Sequence, residues 1–283
     1  MMRPLAAIAA LLMSAGAAHA VVGVGPSRDP DGVRRNTVGL VLSQGLCSGA
    51  LIAEDLILTA AHCVARNDVR HAISVGADFK ARRLAVVGVT VHPSFRYAPR
   101  PADAVGVDLA LVRLALPAPR DMQPARVGAF GESGLLRIAG FGVGGNGRGD
   151  AGAGRLREAT LLARSVDWQS HRLIAGIGSD GDRVLAGVGG CRGDSGGPVF
   201  AEATGEVVGV VSWSSPAEGR RGGTCGGLTV ATGAGDHAEW IAAASLALRS
   251  GGEITAVRYA REPRAERRAR DRAPVRAARN RRD

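Results

Sequence analysis

The chain has 283 residues, a formal charge of +10 and 41 glycines, and almost all of its basic side chains are arginine. That length can bury a substantial core or divide into two halves of ordinary domain size. Apolar content is near the globular average, and the glycine excess suits a loop-rich β protein better than a helical bundle.

The N-terminus reads as a secretory signal over residues 1–20. Arg3 gives a minimal positive region, Leu5 to Ala18 is small and apolar, and Ala18-His19-Ala20 fits a signal-peptidase site. The run is short for a membrane span, and no later segment replaces it; a retained anchor is the alternative. Export leaves the periplasm or the medium as destination. Cys47, Cys63, Cys191 and Cys225 agree with an oxidising compartment. They show no C-x-x-C pairing of the kind zinc sites use, so disulfides are expected, and four cysteines allow three connectivities.

From about Thr37 to Val127, short β-branched runs alternate with turn residues. Val38–Leu42, Ala50–Ile52, Leu84–Val91 and Leu109–Leu116 are predicted strands. The pattern resumes at Leu136–Ile138, Leu161–Ala163, Val207–Val211 and Leu228–Val230. The glycine-rich stretch Gly142–Gly154 is expected to be a mobile surface loop. Asp236 is the expected cap of a helix from His237 to about Leu248, with Trp240, Ile241, Ala244 and Leu248 at helical spacing and Gly251-Gly252 as its stop. Residues 253–283 hold eleven arginines against five acids and few large apolar side chains. Such a segment buries too little surface to offset its ordering entropy, so residues 251–283 are expected to be a disordered basic tail.

Three segments carry candidate chemistry. Gly193-Asp194-Ser195-Gly196-Gly197-Pro198 flanks a serine with small residues, which permits a tight turn with the hydroxyl and main-chain N–H groups accessible. A serine hydroxyl is a poor nucleophile without a base in hydrogen-bonding reach. Leu58-Thr59-Ala60-Ala61-His62-Cys63 offers such a base, since imidazole titrates near neutrality. Asp108-Leu109-Ala110-Leu111 places an acid at the head of an apolar strand, where it can hold a histidine tautomer. Each taken singly has a bland structural explanation: a glycine turn, a structural histidine and a strand-edge acid.

In the order His62, Asp108, Ser195, with Thr-Ala-Ala-His-Cys, Asp-Leu-Ala-Leu and Gly-Asp-Ser-Gly-Gly-Pro around them, the chain resembles the chymotrypsin-like (trypsin-like) serine proteases from roughly Val21 to Leu248. The resemblance implies an all-β fold of two packed antiparallel Greek-key β-barrels with a C-terminal helix. Residues 21–127 would carry His62 and Asp108, and residues 128–250 would carry Ser195. It implies a secreted endopeptidase working through an acyl-enzyme, with the Gly193 and Ser195 N–H groups as oxyanion hole. It further implies Cys47–Cys63 and Cys191–Cys225 bridges, a Phe141 strand end where tryptophan is common, and Val211-Ser212-Trp213 lining the substrate cleft.

Family members activate by pairing a new N-terminal amine with the acid before the nucleophile. Val21-Val22-Gly23-Val24 follows Ala20 directly, so signal cleavage itself would free Val21 to dock on Asp194; Val24 departs from the usual glycine. The primary pocket would be formed by Gly189, Gly190, Ser212, Trp213 and Ser214. Gly189 stands where trypsin-like members place an aspartate, so a neutral pocket for an apolar residue before the cleaved bond is expected. Ser214 would narrow its mouth, and Arg192, Arg220 and Arg221 either edge the cleft or are simply solvated.

No cofactor or metal is expected. The segment after Arg66 lacks an acid-rich loop, and Arg148-Gly149-Asp150 is explained by local composition. Expected partners are protein or peptide substrates of a monomeric enzyme. The tail, with Tyr259 as its lone aromatic, suits an anionic surface rather than specific nucleic acid. Two rival readings are a catalytically dead binding protein and a function seated in the tail.

Overall fold

A computed structural model describes residues 21–27, 32–145, 152–168, 171–217 and 225–251. The expected signal at 1–20, Arg148-Gly149-Asp150, Arg220, Arg221 and the expected tail beyond Gly251 lie outside the described residues.

The strands are β1 (Thr37–Leu42), β2 (Gly45–Ala53), β3 (Leu56–Thr59), β4 (Val69–Val75), β5 (Ala81–Leu84), β6 (Val86–Val91) and β7 (Ala110–Leu114) in the first half. They are followed by β8 (Ser133–Gly140), β9 (Arg157–Trp168), β10 (His171–Asp180), β11 (Arg183–Val184), β12 (Pro198–Ala201), β13 (Val207–Pro216) and β14 (Gly226–Gly233). The helices are α1 (Ala61–Val64) and α2 (Ala238–Arg249). Two seven-stranded antiparallel sheets result, ordered β5-β4-β1-β2-β3-β7-β6 and β11-β10-β14-β13-β12-β8-β9, and the β9–β10 pairing closes the second on itself. The all-β, two-barrel expectation holds.

Side chains alternate between the two faces of each strand, so one face fills a barrel and, where the sheets meet, the other is buried between them. Leu40, Leu51, Ile57 and Val112 fill the first barrel. Leu136, Ile138, Leu161, Ile174 and Val211 fill the second. A third cluster, including Leu58, Leu111, Phe141 and Val210, is shared between the two sheets. These are nearly all fully buried. The candidate site residues emerge along this seam.

Three local expectations are corrected. The run Leu84–Val91 is not one strand: β5 ends at Leu84 and β6 begins at Val86. Asp236 does not cap α2; Gly235–His237 forms a 3-10 turn, and no side chain caps the helix that follows. The start of the glycine stretch is not on the surface either. Gly142, Val143 and Gly144 are buried, with Val143 against the Cys191–Cys225 pair and Val22.

Helix α2 packs its Ile241 and Leu248 into the shared cluster. Its last carbonyls are met by the first barrel. Arg113 Nη1 donates to Leu248 O at 2.7 Å, and Arg249 Nη2 pairs with Asp55 Oδ1 at 2.5 Å. The Arg249 bond is the main influence holding the Asp55 carboxyl below its usual range, against a smaller cost of burial.

Candidate active site

His62 sits in α1, a single turn fixed at both ends. Thr59 Oγ1 donates to Ser48 O just before it, and the disulfide Cys47–Cys63 anchors it to β2. Its ring Nδ1 lies 2.8 Å from Asp108 Oδ2, and its backbone N–H donates to Asp108 Oδ1 at 2.9 Å. Ser212 Oγ donates to the same Oδ2 at 2.5 Å. Asp108 is 4% exposed, so burial works against its charge. The neighbouring imidazole and the bonds from His62 and Ser212 outweigh that penalty and hold its carboxyl below the usual range. A carboxylate bonded to Nδ1 leaves Nε2 as the basic nitrogen facing the cleft.

Ser195 lies in the turn between the second disulfide, Cys191–Cys225, and β12. The turn is tight because the residue after it is glycine. Gly196 has φ +78°, and a Cβ there would come within 2.1 Å of Thr59 Oγ1. Ser195 and His62 line one open cavity of about 560 Å³ together with Gly193 and Arg192. Ser195 Oγ donates to Ser212 O at 3.4 Å, while His62 Nε2 faces Cys63 Sγ at 3.8 Å. Catalytic serine–imidazole bonds are commonly loose without substrate. Among the described residues, the N–H groups of Gly193 and Ser195 have no acceptor. Their neighbours are committed: Asp194 N–H to Cys191 O, and Gly196 N–H to Val211 O.

Asp194 is 1% exposed and turns inward. Gly142 N–H donates to Oδ1 and Cys191 N–H to Oδ2, both at 2.9 Å, and the Val21 N–H also bonds the carboxylate. Burial nevertheless pushes its carboxyl up to about 7. Val21 is fully buried, and Val22 pairs with Gly189, its N–H donating to Gly189 O at 3.0 Å.

Beside the serine, Gly189 and Gly190 are buried and look onto Thr229. Gly190 N–H donates to Thr229 Oγ1 at 2.9 Å, and a Cβ on Gly189 would lie 3.0 Å from that oxygen. Ser214 pairs in register with Thr229 across β13 and β14. A second, largely apolar cavity of about 260 Å³ runs from Asp108, Ser212 and Trp213 toward Trp168, Leu173 and Leu228.

The structure thus brings together His62, Asp108 and Ser195, Val21 and Asp194, and both cysteine pairs, and sets Gly189 and Gly190 against Thr229. Three residues escaped the sequence reading. Ser48 Oγ accepts from Phe141 N–H and donates to Gly193 O, each at 2.9 Å, locking the serine loop to the first barrel. Thr229 holds the Gly190 N–H, and Arg157 is buried near Asp194. The only available signal was a polar residue inside an otherwise apolar strand. Cys47, His62 and Cys63 bring ligand-type atoms within 4.8 Å, but both sulfurs are joined in the disulfide and supply no thiolate for a metal.

Comparison with known proteins agrees with this geometry. The model of the family described as Trypsin matches residues 24–241. A trypsin-like protease of Streptomyces glaucescens is 34% identical over 185 residues, covering 61% of this chain and 66% of the relative. Trypsin of Saccharopolyspora erythraea is 30% identical over 192 residues, covering 62% and 80%. Trypsin 5G1 of Aedes aegypti is 26% identical over 189 residues, covering 60% and 66%. The chain therefore spans just under two thirds of the length of the Streptomyces and Aedes relatives. Among solved structures, neuropsin, a serine protease expressed in the limbic system of mouse brain, superposes with a TM-score of 0.60 at 20% identity, over 79% of this chain and 99% of that one. At that identity the likeness speaks to the fold.

Proposed function

The chain belongs to the trypsin family of chymotrypsin-like serine proteases, and from that premise we propose that it is a secreted endopeptidase acting through Ser195, His62 and Asp108. The observation that carries the reading is the convergence of Asp108, His62 and Ser195 on one cleft beside two uncommitted N–H groups. His62 Nε2 takes the Ser195 proton as the hydroxyl attacks a peptide carbonyl, and Asp108 holds the imidazole in the required tautomer. The Gly193 and Ser195 N–H groups receive the developing oxyanion, a donor worth about 3 kcal/mol of transition-state stabilisation. His62 then protonates the leaving amine, and water resolves the acyl-enzyme.

The pocket reading is neutral. Gly189, Gly190 and Thr229 offer no carboxylate to an arginine or lysine side chain, whose unpaired burial costs several kcal/mol. The apolar cavity beside Trp213 supports a substrate with a further apolar side chain upstream of the scissile bond.

Activation through Val21 is supported by its burial beside Asp194. Val21 also has φ +35°, a costly conformation for a β-branched residue. Signal cleavage after Ala20 would remove the carbonyl that defines that angle and place an ammonium where burial, against three N–H bonds, pushes Asp194 up to about 7. N-terminal sequencing of active protein gives Val21 under this reading, and a different start contradicts it. The whole reading is tested by peptide-library cleavage with wild type and Ser195→Ala. Apolar residues before the cut, preferred over arginine by about a hundredfold or more in kcat/KM, are expected. Arginine preference refutes the pocket assignment, and an active Ser195→Ala protein refutes the mechanism.

A further inference from the structure

Arg157 is the largest fully buried side chain, at 1% exposure, although buried arginines are ordinarily tied to a carboxylate. Its Nη1 donates to Gly152 O at 3.0 Å and Arg155 O at 3.2 Å, while its Nε is buried with no partner among the described residues. Arg157 opens β9 directly opposite Gly140 of β8. Facing residues of an antiparallel pair project to the same side of the sheet. On that side of Gly140 lies Asp194: a Cβ on Gly140 would come within 2.3 Å of Asp194 Oδ1. The strand pairing therefore sends a permanent cation toward the buried carboxylate on which the serine loop hangs, and each charge favours the ionised form of the other. Two further groups belong to this environment: the Val21 backbone N–H, which bonds the carboxylate and would become an ammonium on cleavage after Ala20, and Arg155, whose charge opposes that of Arg157.

We propose that Arg157 is a positioning residue, a built-in second cation that shares with the Val21 ammonium the task of keeping Asp194 turned inward and the Gly193 and Ser195 N–H groups aimed into the cleft. The inference rests on the protease reading above. Its consequence is graded activation. A chain whose Val21 amine is blocked keeps part of its activity, and that remainder belongs to Arg157. A side chain that merely braced the Gly152–Arg155 segment would act equally whether or not the amine were free.

The test is a double-mutant cycle on full-length mature protein, with Val21 either free or preceded by one extra residue. Each form is combined with Arg157, Arg157→Gln or Arg157→Lys. Glutamine retains an amide donor for the Gly152 and Arg155 carbonyls but removes the charge, and lysine restores it. The readouts are kcat/KM on a neutral peptide, its pH profile, and the rate of Ser195 labelling by a fluorophosphonate. With Val21 free, Arg157→Gln lowers kcat/KM by about threefold; with Val21 blocked, the same change lowers it by about thirtyfold or more, a coupling within the range of residues that act on one shared group. Lysine recovers most of the loss in the blocked form. In the free form, activity above the titration of the amine levels off in wild type and falls away in Arg157→Gln. Equal losses in both backgrounds, no rescue by lysine, or a blocked wild type that never labels overturns the proposal. A wild type with free Val21 that fails to label overturns the protease reading itself, and so separates the two failures.

Discussion

Replacing Asp108 with asparagine changes one atom and leaves the site's shape intact. The Asp108 carboxylate accepts three hydrogen bonds, from His62 N–H to Oδ1 and from His62 Nδ1 and Ser212 Oγ to Oδ2. Asparagine has one oxygen. If it keeps the His62 backbone bond, the amide N–H₂ faces Nδ1 and forces the ring proton onto Nε2, the nitrogen that must accept from Ser195. If it flips, the amide opposes the His62 backbone N–H, and a buried donor is orphaned at about 1–3 kcal/mol. The first arrangement is the cheaper, so the expected phenotype is a folded protein with the wrong histidine tautomer. kcat should fall about ten-thousand-fold, equivalent to about 5.4 kcal/mol of activation free energy. Steady-state hydrolysis of a neutral peptide, with thermal unfolding as the fold control, measures both quantities. A folded Asp108→Asn protein within tenfold of wild type would refute Asp108 as the residue that orients His62.

Two further outcomes follow from the same geometry. Ser48→Ala orphans the buried Phe141 N–H and Gly193 carbonyl together, so denaturant unfolding should show a loss of about 2–5 kcal/mol. Unchanged stability would mean that those groups find other partners. His92 is pushed down to about 4, chiefly by burial and also by His237, and it packs 4.8 Å from Trp240 with Ser94 Oγ on its Nδ1. Its folded pKa lies below its unfolded value, so its contribution is complete above about pH 6.5 and is lost as pH falls toward about 4. Stability followed by tryptophan fluorescence should decline across that window, less steeply in His92→Gln; an identical slope contradicts the assignment.

The barrels were readable because their strands are short apolar runs: Leu40, Leu51, Ile57 and Val112 enter the first barrel, while their neighbours Ala50, Leu58 and Leu111 enter the shared cluster. His62, Asp108 and Ser195 were readable because each carries its own flanking motif. Ser48 and Thr229 were not, since their partners lie 93 and 39 residues away, nor was Arg157, whose place opposite Gly140 is chosen by sheet register. Gly142–Gly144 misled for the converse reason. Local glycine content signals surface, but Gly142 N–H is spent on Asp194 and Val143 on the second disulfide. Asp236 carries a capping signal, yet the chain inserts a 3-10 turn before α2 begins.

The central claim is that Ser195 is a nucleophile activated by His62, and covalent labelling tests it most directly. Protein with both disulfides intact is incubated with a fluorophosphonate, and the modified peptide is identified by mass spectrometry. One label per chain is expected, on Ser195, absent from Ser195→Ala and strongly slowed in His62→Ala. A folded protein beginning at Val21 that takes no label, or takes it on another residue, would contradict it.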